Sequence, residues 1–99
     1  SFLSNVKKIY LKGCKQITNK GLSYLKNVKE IDLSFCNNFT AEGLSFLSNV
    51  KKIYLKGCKQ ITDQSLFYFK NANEFDVSSD YNMTNEECSF LSNVKKIYI

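Results

Sequence analysis

An α/β solenoid, in which short parallel strands alternate with short helices, is the fold class that the sequence predicts, and three observations predict it. The phrase at residues 1–18 returns letter for letter at residues 45–62, and its first ten residues return at residues 89–98. Beneath this forty-four-residue rhythm lies a unit of twenty-two. Leu3, Leu25, Leu47, Phe69 and Leu91 share one slot, Val6, Val28, Val50, Ala72 and Val94 a second, and Ile9, Ile31, Ile53, Phe75 and Ile97 a third. Within each unit the apolar period also changes, from two to three, as a strand followed by a helix requires. The super-period arises because two kinds of unit alternate, one carrying KKIYLKGC and the other KEIDLSFC.

The strands come first in each unit. Ile9 and Leu11 alternate with Lys8, Tyr10 and Lys12, and Ile31 and Leu33 with Glu30, Asp32 and Ser34. One face is therefore buried and the other exposed. Strands are expected near residues 8–11, 30–33, 52–55, 74–77 and 96–99, all parallel because each lies one unit from the next. A turn follows each strand, and then a threonine in a fixed slot: Thr18, Thr40, Thr62 and Thr84. A threonine hydroxyl accepts from the amides of a first helical turn, and Thr84 with Glu87 fits the S/T-x-x-E capping box. Short helices are thus expected after each threonine, with Leu22 and Leu25, or Leu44 and Leu47, as buried pairs. Asn27, Asn49, Asn71 and Asn93 stand where a left-handed residue would end them.

These residues resemble the leucine-rich repeat family, whose units read L-x-x-L-x-L-x-x-N/C-x-L. Leu3, Val6, Ile9, Leu11, Cys14 and Ile17 fill that pattern with one extra L-x-x step in front. The runs GCKQITNKGL and GCKQITDQSL are similar to the cysteine-containing subclass found in F-box-type proteins, although units of twenty-two are nearer the length of bacterial internalin-like repeats and no F-box is present. The resemblance covers essentially the whole chain. It implies a curved right-handed array with strands on the concave side and helices on the convex side. Residues 1–99 are expected to form one such domain, four units and the start of a fifth, cut from a longer array. It also implies a non-catalytic module that binds a protein on its concave face.

Composition agrees with a non-enzymatic role. The chain has no histidine, so there is no imidazole base, and no Gly-rich phosphate loop follows any strand. Its carboxylates are spread by the repeat rather than gathered in a pocket. No cofactor or metal is expected. Cys14, Cys36 and Cys58 should stack about 5 Å apart as buried, unpaired thiols, since a disulfide needs facing side-chain vectors and zinc usually takes ligands from a C-x-x-C pair. Cys88, where other units carry leucine, reads as a small apolar residue. Free interior thiols favour a reducing compartment. The sequons at Asn38 and Asn82 would accept glycans if the protein were exported, and otherwise read as turn amides. No apolar run approaches the length of a membrane span.

The exposed strand positions carry the partner hypothesis. Lys8, Glu30, Lys52, Glu74 and Lys96 form one alternating row, which cross-strand charge pairing alone would explain. Tyr10, Asp32, Tyr54, Asp76 and Tyr98 form the next, where a large ring with a polar tip is the kind of anchor that recurs at interfaces. Adding Lys12, Lys56 and the neighbouring Lys8 and Lys52 gives the expected partner-binding set. Nucleic acid is a rival, since Lys7, Lys8, Lys12 and Lys15 cluster with Tyr10 and recur as Lys51, Lys52, Lys56 and Lys59 with Tyr54. Glu30, Asp32, Glu74 and Asp76 break that stripe, however, and all fourteen basic residues are lysine, leaving no arginine for base readout. The ladder Phe2, Tyr24, Phe46, Tyr68 and Phe90 is expected to pack between helices, with self-association through the repeats as the alternative. In the fourth unit the ladder cysteine becomes Asp80, with Tyr81, Glu86 and Glu87 adding polar character. That drift fits a relaxed copy, a binding edge or a partial cap.

Overall fold

The computed structural model describes residues 6–77, 86, 89 and 91–98. Five strands form one sheet in chain order: β1 (Lys8–Tyr10), β2 (Glu30–Asp32), β3 (Lys52–Tyr54), β4 (Glu74–Asp76) and β5 (Lys96–Tyr98). Every neighbouring pair is parallel, as expected, and Ile9, Ile31, Ile53, Phe75 and Ile97 fall in one line of register. Each strand is three residues long, one fewer than the alternation implies. Pairing nevertheless continues past the strands, with Leu11 N donating to Asp32 O at 2.8 Å, Leu33 N to Tyr54 O at 2.9 Å and Leu55 N to Asp76 O at 2.7 Å.

Helical segments follow where the threonine slots place them: α1 (Asn19–Ser23), a 3-10 helix (Ala41–Leu47) and α2 (Asp63–Tyr68). They lay Leu22, Leu25, Leu44, Leu47, Leu66 and Phe69 onto the buried face of the sheet, closing a continuous core with Ile31, Leu33, Ile53, Leu55 and Phe75. Pairs three apart suffice because the segments are barely two turns long.

Their ends differ from expectation in two ways. Among the described threonines only Thr62 caps with its side chain: Ser65 N donates to Thr62 Oγ1 and Thr62 N to Ser65 Oγ, each at 3.3 Å, so serine takes the third helical position that the box motif assigns to Glu or Gln. Thr40 lies at a helix start, but its hydroxyl is engaged elsewhere, accepting from Asn19 Nδ2 at 2.8 Å and lying 3.3 Å from Glu42 Oε2. Asn19 Oδ1 also accepts the Thr40 amide at 2.9 Å, clamping α1 to the start of the next helical segment. Thr18 makes no side-chain cap either; nothing in its surroundings explains this. The Thr84–Glu87 box lies outside the described residues.

The asparagines are the second correction. Asn27, Asn49, Asn71 and Asn93 do not adopt the left-handed conformation, since Phe35 alone among the described non-glycine residues has positive φ. The reason is local. Val28, Val50, Ala72 and Val94 each donate to the carbonyl three residues back, at 2.9–3.0 Å, which makes each asparagine the third residue of a turn satisfied by negative φ.

The left-handed slot lies instead just after the strands. Gly13 (φ 73) and Gly57 (φ 74) occupy it in the β1 and β3 units, and Phe35 (φ 62) occupies it in the unit between. For a residue with a Cβ that conformation costs about 1–2 kcal/mol, which glycine avoids.

Cys36 and Cys58 are buried and unpaired, while Cys14 is half-exposed, against the expectation for all three. Each buried thiol donates backwards along the ladder, Cys36 Sγ to Leu11 O at 3.0 Å and Cys58 Sγ to Leu33 O at 3.1 Å. Cys14 belongs to the first described coil and has no described neighbour of that kind on its outer side. Under native conditions a thiol reagent is therefore expected to modify Cys14 well before Cys36 and Cys58, which wait for local opening. Peptide mapping of the labelled sites checks this, and equal rates at all three would contradict the ladder. Cys88, Asp80 and Tyr81 lie outside the described residues.

The amide slot next to the cysteines also serves the fold. Asn38 Nδ2 donates to Lys15 O, and Gln60 Nε2 to Cys36 O at 2.9 Å. At the Asn38 sequon the nitrogen that would bear a glycan thus ties one coil to the previous one; Asn82 is not described. The described part of the aromatic ladder packs less than expected: Tyr24 and Phe46 stay 46% and 42% exposed, while Tyr68 turns inward, edge-on to Phe69 at 6.4 Å. Phe2 and Phe90 lie outside the described residues.

Candidate functional site

The strand face is built by register. Because Lys8 pairs with Glu30, Glu30 with Lys52, Lys52 with Glu74 and Glu74 with Lys96, the first row alternates in charge along the sheet. Lys52 Nζ lies 4.0 Å from Glu30 and 3.7 Å from Glu74, and Lys96 Nζ lies 3.6 Å from Glu74. These contacts are long and partly solvated, worth at most about 1 kcal/mol each.

The tyrosine row reaches across to the same carboxylates. Tyr10 Oη donates to Glu30 Oε2, and Tyr54 Oη to Glu74 Oε2 at 2.8 Å. The third residue of one strand thereby reaches the first residue of the next, a diagonal pairing that a long side chain spans. The electrostatic effects follow. The bond to Glu30 raises the Tyr10 pKa above the usual 10.0, with partial burial adding to it. For Tyr54 burial is the larger cause and the bond to Glu74 the second, and its pKa is raised well beyond the ordinary phenol range. Glu74 moves the other way, lowered first by the Tyr54 hydroxyl and further by Lys52 and Lys96, against an opposing burial effect.

Among the residues expected to bind a partner, Tyr10 and Tyr98 present their rings to solvent, 59% and 44% exposed, while Tyr54 is half-buried. Lys8, Lys12 and Lys56 are exposed, and Lys52 is held between two glutamates. Asp32 is occupied by its own turn, with Oδ1 accepting the Ser34 amide at 2.9 Å; Asp76 is half-buried in the equivalent place. The register brings the tyrosines onto one face, yet the polar tips of Tyr10 and Tyr54 are already bonded within the molecule. What the face offers a ligand is ring surface and charge.

Sequence reasoning placed Glu30 and Glu74 in a charge row and missed them as tyrosine acceptors. A tyrosine at strand position three followed, twenty residues later, by a glutamate at position one is the signal that would have found them. It missed Phe35 altogether, although a phenylalanine in a slot that its neighbours fill with glycine is visible in SFC set beside KGC.

The β2 unit also carries the likeness to known proteins. Residues 24–48 match the family model described as Leucine Rich repeat. This stretch is thus similar to a leucine-rich repeat. It contains β2, the left-handed Phe35, the buried Cys36 and the 3-10 helix in one unit. Curated proteins and solved structures return no match to the chain. Leucine-rich repeats generally mediate protein–protein interaction. No described helix is long and apolar enough to cross a membrane, and no group of three or more His, Cys, Asp or Glu among the described residues is arranged to hold a metal ion.

Proposed function

We propose that the whole chain is an array of twenty-two-residue leucine-rich repeats of the cysteine-containing type, and that it acts without catalysis by binding a protein on a concave strand face. The observation that carries this reading is the face itself: tyrosine rings on alternate strands, exposed at Tyr10 and Tyr98 and half-buried at Tyr54, with a carboxylate between them and lysines at both sides. The thiols of Cys36 and Cys58, bonded to the preceding coil, support the subclass. Tyr10, Tyr54 and Tyr98 recur every second strand, about 10 Å apart at ordinary strand spacing, so one ligand reaches several at once. Lys8, Lys12, Lys52, Lys56, Asp32 and Asp76 frame them.

Selection of binders from a displayed protein library on the immobilised chain tests the face. Tyr54→Ala is expected to weaken such binders by more than about 1 kcal/mol while the chain stays folded. Tyr54→Phe keeps the ring but frees Glu74, and separates contact by the ring from support by the hydroxyl. Lys52→Ala should matter less to binding and slightly loosen the charge row. If Tyr54→Ala binds as well as the parent, or unfolds while its folded fraction binds normally, the tyrosine row is structural. The exposure of Tyr24, Phe46 and Phe67 on the helical side favours one second reading, association of copies through that side. Sedimentation across a concentration series decides it, because a monomer at high concentration excludes self-assembly.

A further inference from the structure

The turns that follow β1, β2 and β3 lie side by side, with Gly13 N donating to Ser34 O and Phe35 N to Lys56 O, both at 2.8 Å. Three features meet at this edge. Phe35 holds a left-handed backbone that both flanking coils give to glycine, and its ring is 42% exposed. The ring lies against Gly57, where an added Cβ would stand 2.4 Å from Cδ1 and Cε1, and Lys12 Nζ stands over it at 5.7 Å from the centroid. Beside it opens a groove of about 600 Å³ lined by Phe35, Asn37, Gly57, Lys59 and Gln60.

The charge at this edge is one-sided. Residues 12–17, 34–39 and 56–61 include Lys12, Lys15, Lys56 and Lys59 and no Asp or Glu. The ion pairs of Lys52 and Lys96 with Glu30 and Glu74 lie away from this edge, on the strand face. Asp32, two residues before the middle turn, is turned to the Ser34 amide. Lys12 stands over the ring, Lys59 lines the groove beside it, and Lys15 and Lys56 belong to the same turns, so a basic edge carries one ring whose backbone strain the fold does not need, since glycine serves the same turn on either side.

From this we propose a second docking surface, at the edge where the strands end, for an acidic segment of a partner protein. An apolar side chain of that segment lies against Phe35 and the Gly57 backbone, and its carboxylates face Lys12, Lys15, Lys56 and Lys59. Single-stranded nucleic acid fits less well. Such ligands stack successive bases on successive rings, and the equivalent slots on both sides of Phe35 are glycine. The inference shares with the strand-face reading the class of ligand and the lysines Lys12 and Lys56, while Phe35, Gly57, Lys15 and Lys59 are its own. Its residues are distinct from the tyrosine row, so either can fail alone.

The test is an amide NMR titration of the chain at low salt with a capped nine-residue peptide of glutamates around a central leucine. Controls replace Glu with Gln, or Leu with Ser, and a nonauridylate serves as the nucleic-acid probe. The expected result is saturable perturbation at Gly13, Phe35, Gly57 and Lys59. The Ser control and Phe35→Gly, which relaxes the turn while deleting the ring, should each weaken binding at least tenfold. The Gln control should not bind, and Lys56→Gln with Lys59→Gln should lower both the affinity and its salt dependence. Absence of perturbation at millimolar peptide overturns the proposal. So does unchanged binding by Phe35→Gly, perturbation centred on Tyr10 and Tyr54 instead, or tighter binding of the nonauridylate at these residues.

Discussion

Replacing Phe75 with alanine is expected to cost about 3–5 kcal/mol, the loss that follows truncation of a fully buried ring. Phe75 is fully buried on β4, in register between Ile53 and Ile97. Its ring meets that of Phe69 at 5.5 Å with the planes tilted by 40°, so the strand layer and the helical layer touch through these two rings. Alanine removes the ring on one side of that contact and leaves a cavity that the hydrogen-bonded neighbouring strands cannot close. For a small domain, whose total stability is about 5–15 kcal/mol, such a loss moves the urea midpoint far towards zero. Phe75→Leu keeps most of the volume and should cost about half as much. Phe67→Ala, by contrast, truncates a ring that is 46% exposed and should change little. A Phe75→Ala variant within about 1 kcal/mol of the parent would show that the two layers are not joined through this contact.

Phe75 also shows what the sequence makes legible. It shares a slot with four isoleucines, and a slot in a twenty-two-residue period specifies strand, register and burial together, because parallel neighbours one unit apart must present equivalent residues to the same core. The strands, their order and the layer of helices were readable for that reason. What stayed hidden was whatever depends on which neighbour a polar group selects. Thr40 and Thr62 occupy the same slot, yet one hydroxyl goes to Asn19 and the other to Ser65, and the difference lies in residues of other turns. The tyrosine tips were read as available to a ligand, whereas the diagonal reach from Tyr54 to Glu74 consumes one and the reach from Tyr10 to Glu30 another. Phe35 shows its special place only when SFC is set beside KGC, since its left-handed backbone follows from the turn that Gly13 and Gly57 mark on either side.

Between pH 9 and 11 the protein is expected to lose about 2 kcal/mol of stability through Cys58 alone, since each tenfold weakening of an acid on folding is worth about 1.4 kcal/mol. Burial is the chief cause that raises this thiol from 9.0 to about 11, and amides of neighbouring coils only partly oppose it. A raised folded-state pKa means that the native protein keeps a proton the unfolded chain has begun to release. The contribution is therefore complete below pH 9 and drains away as the pH climbs to 11. The geometry supplies the same sign, because the Cys58 S–H donates to Leu33 O at 3.1 Å, and a thiolate there would face a buried carbonyl with no proton between them. Cys36, raised by burial in the same direction, steepens the slope, and so does Tyr54 above pH 10. Urea unfolding at pH 8, 9, 10 and 11 measures the loss. Cys58→Ala should be less stable than the parent at pH 8, from the cavity and the lost hydrogen bond, yet flatter with pH. Tyr54→Phe should flatten only the limb above pH 10. If Cys58→Ala keeps the full slope of the parent, the thiol ladder does not set alkaline stability, and the tyrosines of the strand face are left as its cause.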